Sequence, residues 1–184
     1  MDQVFTSNLS RHNGEVSNDI TASAGGIAEI ISCAIEDNQY GVDIMAVREI
    51  KEWSNIAYLP KQPEYVRGVL NLRGVMVPIV DLRCRFGEGL TETTPTHIII
   101  VVHIDGRPVG LLADRVLDIV SFETAKIQSV PQTTRGASSN LLSGLVTHDD
   151  TMIALIKLSD LLSVSEVTAE ITEVWLPSTP ASTR

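Results

Sequence analysis

Gly68–Leu82 reads GVLNLRGVMVPIVDL, and this stretch decides the fold class. Two apolar segments, Val69–Leu72 and Val75–Val80, flank Arg73-Gly74. Short apolar runs either side of a two-residue turn ending in glycine are the signal of a β-hairpin. Proline has no N–H to give to a sheet ladder, so Pro78 predicts that the second strand is an edge strand or carries a bulge.

The stretch has an echo further along the chain. Gly68 and Met76 are eight residues apart, as are Gly144 and Met152. Val77-Pro78-Ile79-Val80 continues the first pair and Ile153-Ala154-Leu155-Ile156 the second. Upstream, Tyr40-Gly41-Val42 is followed by Val47, Glu49 and Ile50. Val109-Gly110-Leu111 is followed at the same offsets by Val116, Asp118 and Ile119. A spacing of about 70 residues is longer than a solenoid unit, which predicts a duplicated domain.

Apolar segments fill the rest of the pattern. In the first half they are Ala28–Ile35, Tyr40–Ile44, Val47–Trp53 and the two of the hairpin. After a break at Gly87-Glu88-Gly89 and Thr93–Thr96 come His97–Ile104, Arg107–Leu112, Arg115–Phe122, Leu145–Thr147 and Met152–Ile156. Asp105-Gly106 is a further hairpin turn. Five short strands per half predict two small antiparallel barrels, the first over about 27–92 and the second over about 95–157. Pro63–Gly68 reads as one helical turn ended by glycine, and Pro131–Asn140 as an irregular loop. Residues 1–26 are rich in Ser, Asn, Thr and Gly and predict a flexible tail. Ser163-Val164-Ser165-Glu166 has capping-box spacing. Val164, Val167, Ile171 and Val174 then follow a 3,4,3 rhythm, so 158–176 is expected to be helical and 177–184 frayed.

Bulk properties narrow the function. The chain has 184 residues, ample for one domain or two small ones, and only 4% are aromatic, so the core must be Val, Ile and Leu. A net charge of −9 without a basic stripe opposes both nucleic acid and anionic lipid as partners. Arg67, Arg73, Arg83 and Arg85, opposed in that window by Asp81 alone, are either turn solvators or a surface for an acidic partner. No basic n-region or apolar h-region follows Met1, and the longest aliphatic run is Ile98–Val102. Cys33 and Cys84 are expected as reduced thiols, and the location as cytoplasmic.

Catalytic signals are missing. His97 and His103 are six residues apart on one strand, about 20 Å, too far to share a metal. Gly87-Glu88-Gly89 lacks the rest of a dinucleotide fingerprint, no phosphate loop or nucleophile elbow occurs, and Asp149-Asp150 lacks the spacing of a calcium loop. Neither an enzyme nor a bound cofactor or metal is expected. The alternatives are a small barrel that binds nucleic acid or a small ligand, and a metal-dependent hydrolase whose ligand spacing this chain does not supply.

The chain resembles the CheW family of bacterial chemotaxis adaptors. The resemblance rests on Tyr40–Ile44, Val47–Ile50, Pro63–Gly68, Asn71–Gly74 and Val77–Leu82, with looser matches over Gly110–Phe122 and Met152–Leu162. It spans about 28–163. It implies a mainly all-β fold of two SH3-like five-stranded barrels and a non-catalytic scaffold. That scaffold couples the cytoplasmic tips of methyl-accepting chemotaxis receptors to the regulatory domain of the histidine kinase CheA, in receptor arrays at the inner membrane. The family's receptor contacts map onto Val47, Glu49, Gly68, Arg73 and Ile119. Kinase-facing residues are expected at exposed apolar ends of the barrels, mainly the second, without names.

Overall fold

The computed structural model describes residues 26–131 and 139–162. Ten strands form: β1 Ile27–Ile35, β2 Asn38–Asp43, β3 Val47–Glu52, β4 Val66–Leu72, β5 Val75–Asp81, β6 Ile98–Ile104, β7 Arg107–Ala113, β8 Arg115–Glu123, β9 Leu142–His148 and β10 Thr151–Ile156. One helical turn follows each series, α1 Leu82–Arg85 and α2 Leu158–Leu161. The expected tail at 1–25 and the helix beyond Leu162 lie outside the described residues, as does most of the loop after Pro131.

Two five-stranded sheets result, in the orders β8-β1-β2-β10-β9 and β3-β6-β7-β5-β4. They are the two SH3-like barrels, but the contiguous division at about 27–92 and 95–157 does not match their strands. Each barrel takes its first two strands from one half of the chain and its other three from the other half. The chain changes barrel over very short links. Ile44–Ala46 joins β2 to β3, and Asp114 alone separates β7 from β8. Nothing in an apolar pattern marks such a crossing.

Exchange of the halves maps one sheet onto the other, in detail. The register of β3 on β6 slips at Arg48 and that of β8 on β1 at Leu117, equivalent positions. The β4–β5 ladder slips at Arg67 and the β9–β10 ladder at Ser143, again equivalent. Bridges Ala57↔Val69 and Gln128↔Leu145 match too. So do the positive-φ turns at Arg73-Gly74 and Asp149-Asp150. The sequence echo is therefore a structural duplication down to its bulges.

Gly41 and Gly110 occupy the same place in the two copies, each opposite an isoleucine or leucine in a parallel pairing. A Cβ at Gly41 would stand 2.6 Å from Ile30 Cδ1, and one at Gly110 2.5 Å from Ile79 Cδ1. Close backbone approach is what both positions require. Pro78 behaves differently from the sequence expectation. β5 is an interior strand, yet its pairing with β7 begins only at Ile79↔Gly110. In the other copy the matching ladder reaches back through Ala154↔Tyr40 to Ile153↔Gln39. Without an N–H, Pro78 cannot donate there, so it shortens the ladder rather than placing the strand at an edge.

Packing follows the exchange. Smaller clusters fill each barrel: Ile30, Phe122, Val146 and Leu155 in one, Leu70, Ile79, Ile99 and Leu112 in the other. The largest core lies between them and draws on both halves, with Cys33, Ile35 and Val42 packed among Val80, Leu82, Ile100, Val102 and Leu158. Tyr40 of β2 stacks on Phe86, just after α1, with ring centroids 4.6 Å apart. Asp81, fully buried, ends β5 and caps α1 by accepting from the Cys84 N–H. It also accepts from Arg67 Nη1 at 2.9 Å and from the Thr91 hydroxyl and N–H, so the connector after α1 is pinned to the barrel. A buried pair so fully bonded contributes mainly to a unique geometry.

The expected helical turn at Pro63–Gly68 is shorter than the sequence suggested. The turn closes by Val66 N–H to Pro63 O, and Val66 already opens β4. Gly68 sits in the bulge at φ 142, and a Cβ there would lie 2.2 Å from Ala57 O. Gly68→Ala is expected to cost about 3 kcal/mol through strain and backbone collision. Gly144→Ala, whose Cβ would meet the Gln128 carbonyl at 3.0 Å without a positive φ, should cost less. Urea midpoints of the two variants check the order, and equal midpoints would contradict it.

Candidate functional site

The structure places the five mapped residues unevenly. Glu49 lies on β3 and Arg73 at the β4–β5 turn, and these strands stand at opposite ends of one sheet order. Arg73 Nη2 nevertheless comes within 3.8 Å of Glu49 Oε2, so the sheet curls until its edges meet. The Arg73 side chain is 89% exposed, and a solvated pair of this length adds less than about 1 kcal/mol. Ile119 projects from β8, the edge of the other sheet, and is 57% exposed. Val47 is half-buried against the shared core, as is its equivalent Val116. Gly68 is buried, covered by the Ala57 backbone, and offers no side chain.

Three further exposed apolar residues went unnoticed as site candidates. Ile50 is the duplicate of Ile119 and is 43% exposed; Met76 and Met152 are duplicates, 41% and 58% exposed. The signal was present, since both methionines sit eight residues after the repeat glycine, but as a pattern match it said nothing about which face they take.

The four arginines divide. Arg67 belongs to the Asp81 network, and Arg83 pairs with Glu36 and donates to Glu88 O. Arg85 donates to the carbonyls of Leu161 and Asp160, at 2.8 Å and 3.1 Å, and lies 4.5 Å from the Tyr65 ring centre. It thereby ties α1 to α2 across the two barrels. Neither reading made from the sequence fits these three, which are internal anchors; Arg73 alone projects from a turn.

A hollow of about 660 Å³ opens beside Arg83, Thr91, His97, Asp114 and Arg115. Its polar groups are largely engaged in holding the chain. His97 Nδ1 accepts the Thr94 N–H at 3.0 Å, which assigns the ring proton to Nε2, 3.5 Å from Asp114 Oδ1. The other Asp114 oxygen accepts the Glu36 N–H at 2.7 Å, bracing the β1–β2 turn. His103, the second strand histidine, accepts from Arg48 at 3.2 Å. Among the described residues no group of three or more His, Cys, Asp or Glu is placed to hold a metal. Among them, too, no helix is long and apolar enough to cross a membrane.

Comparison with known proteins follows the same lines. The profile of the CheW-like domain matches residues 29–166. The chain belongs to the CheW-like family. It is 38% identical over 141 residues to the probable chemotaxis protein CheW of Rhizobium etli, covering 77% of this chain and 91% of that one. It is 31% identical to the chemotaxis protein CheW of Klebsiella aerogenes, over 76% of this chain and 84% of the relative. The crystal structure of the scaffolding protein TtCheW from Thermoanaerobacter tengcongensis superposes with a TM-score of 0.70. Its sequence is 32% identical, with 77% of this chain and 91% of that one covered. The chain is thus a member of a chemotaxis scaffold family that works without catalysis.

This CheW-like chain keeps its thiols out of reach of redox chemistry. Cys33 is free and buried, and loss of water pushes its thiol pKa up to about 12, with the nearby Asp114 charge adding to the shift. Burial likewise pushes the Tyr40 hydroxyl up to about 12, helped by Glu88 and by Cys33 itself. Both groups hold protons in the folded state that the unfolded chain releases above its ordinary values of 9.0 and 10.0. Stability should therefore be full below pH 9 and fall as pH rises from about 9 to about 12. Urea titrations across that range test it; a midpoint that stays level or rises would contradict these assignments.

Proposed function

We propose that this protein is an adaptor that couples methyl-accepting chemotaxis receptors to the histidine kinase CheA by holding both at once. The observation that supports this most is the pair of equivalent barrel edges, each exposing an isoleucine and a methionine, fixed on one shared core. Two docking surfaces on one rigid body are what a coupling protein needs. Each is of modest size, and affinity in an assembled array then grows through effective concentration.

The receptor surface is the one that Glu49, Arg73 and Ile119 offer, with Val47 setting its floor. Apolar side chains on the edges fit between turns of a helical hairpin, and the Arg73 fork suits a carboxylate on it. Gly68 contributes through the backbone path of β4. The kinase's regulatory domain takes exposed apolar surface elsewhere on the barrels. Recruitment to arrays at the inner membrane follows from receptor binding. The net charge of −9 leaves nucleic acid a poor alternative partner.

Titration with a receptor cytoplasmic fragment and with the kinase regulatory domain should give roughly micromolar affinities for each, and a ternary complex when both are present. Glu49→Lys should weaken receptor binding about tenfold while the thermal transition moves little, since its only ion pair is long and solvated. Binding to neither partner by the unaltered protein would overturn the proposal.

A further inference from the structure

The internal duplication raises a problem of orientation. β3 and β8 are equivalent edges. Both begin on the shared core, through Val47 and Val116, and both expose an isoleucine, Ile50 and Ile119. Met76 and Met152 complete equivalent apolar frames. A helical hairpin is itself two similar rods side by side. On apolar contact alone it would fit such a surface in two orientations half a turn apart.

Charge separates the two edges. On the second barrel, Arg48, Lys51 and Arg73 accompany Glu49 and Glu52. The equivalent positions on the first barrel are Leu117, Val120 and Asp149 beside Asp118 and Ser121, and Gly74 is answered by Asp150. Three basic and two acidic side chains thus face three acidic and no basic ones. Asp149 and Asp150 are exposed at the tip of their turn, as Arg73 is at the tip of its own. The apolar frame was kept through duplication while the charge was not.

We propose that the β3 and β8 edges form one charge-polarised docking surface that accepts a helical hairpin in a single orientation. The hairpin's basic flank lies over Asp118, Asp149 and Asp150, and its acidic flank over Arg48, Lys51 and Arg73. The reversed pose sets like charges against each other at both flanks. Several exposed pairs acting together give roughly a tenfold preference at low salt, which screening removes. This inference rests on the receptor-binding function proposed above and specifies how that site is used.

A receptor cytoplasmic fragment spin-labelled on one helix tests it, read as broadening of amide signals in the full-length protein. The unaltered protein should show broadening at one edge only at low salt, and at both edges at high salt. The turn-swapped variant R73D/G74D/D149R/D150G exchanges two turns that already adopt matching positive-φ conformations, so it should fold. It inverts the difference in charge and should move the broadening to the other edge. Should it fail to fold, D118N/D149N/D150N keeps the turn and should lose the bias. Binding with both edges broadened alike at low salt overturns the inference and leaves the proposed function standing. A swap or neutralisation that leaves broadening on the original edge does the same. No binding by the unaltered protein overturns the proposed function, and this inference with it.

Discussion

The reciprocal exchange of β1 and β2 against β6 and β7 is the constraint on which everything else in this molecule depends. Neither half of the chain owns a barrel, because each supplies two strands to one and three to the other. The central core is accordingly built from both halves, with Cys33, Ile35 and Val42 on one side and Val80, Leu82 and Ile100 on the other. Polar ties cross the same boundary. Arg85 holds the last carbonyls of α2, and Asp114 accepts from Glu36 while its own N–H reaches Ala34 O. The two barrels form one body, and surfaces on different barrels keep a fixed relation to each other.

A fixed relation is the useful property for a scaffold. No reaction has to be organised, so histidines, cysteines and buried carboxylates serve the fold. Asp81 secures the connector after α1, His97 closes its turn at Thr94, and Cys33 fills core space. What remains for partners is the outside of the barrels, above all the edges and turns where exposed Ile50, Ile119, Met76 and Met152 recur. Duplication supplied two such surfaces together, and the divergence between Arg73 and Asp149 gave them different charge.

Much of this was legible in the sequence because strands and tight turns are local. Arg73-Gly74 and Asp105-Gly106 mark hairpins by composition, and alternation of Val, Ile and Leu marks ten strands close to where they form. The family motifs fixed the fold class. What could not be read were facts set by distant partners. The strand 44–46 steps across to the other barrel without any change in apolar pattern, so the contiguous barrels were the natural but incorrect division. Pro78 signals a missing donor, but whether that makes an edge or a shortened ladder depends on where β7 lies. Arg67, Arg83 and Arg85 look like surface charge until Asp81, Glu36 and the α2 carbonyls, up to 76 residues away, are brought beside them. Among the mapped contacts, Gly68 and Val47 carry packing duties that a motif does not distinguish from contact.

Hydrogen exchange of the strand amides under increasing denaturant tests the shared-core account most directly. Amides in the buried strands β1, β2, β6 and β7 should converge on one global unfolding free energy and open together. Separate opening of strands within 27–92 and within 95–157, at distinct free energies, would mean that the halves fold independently and would contradict the interwoven architecture.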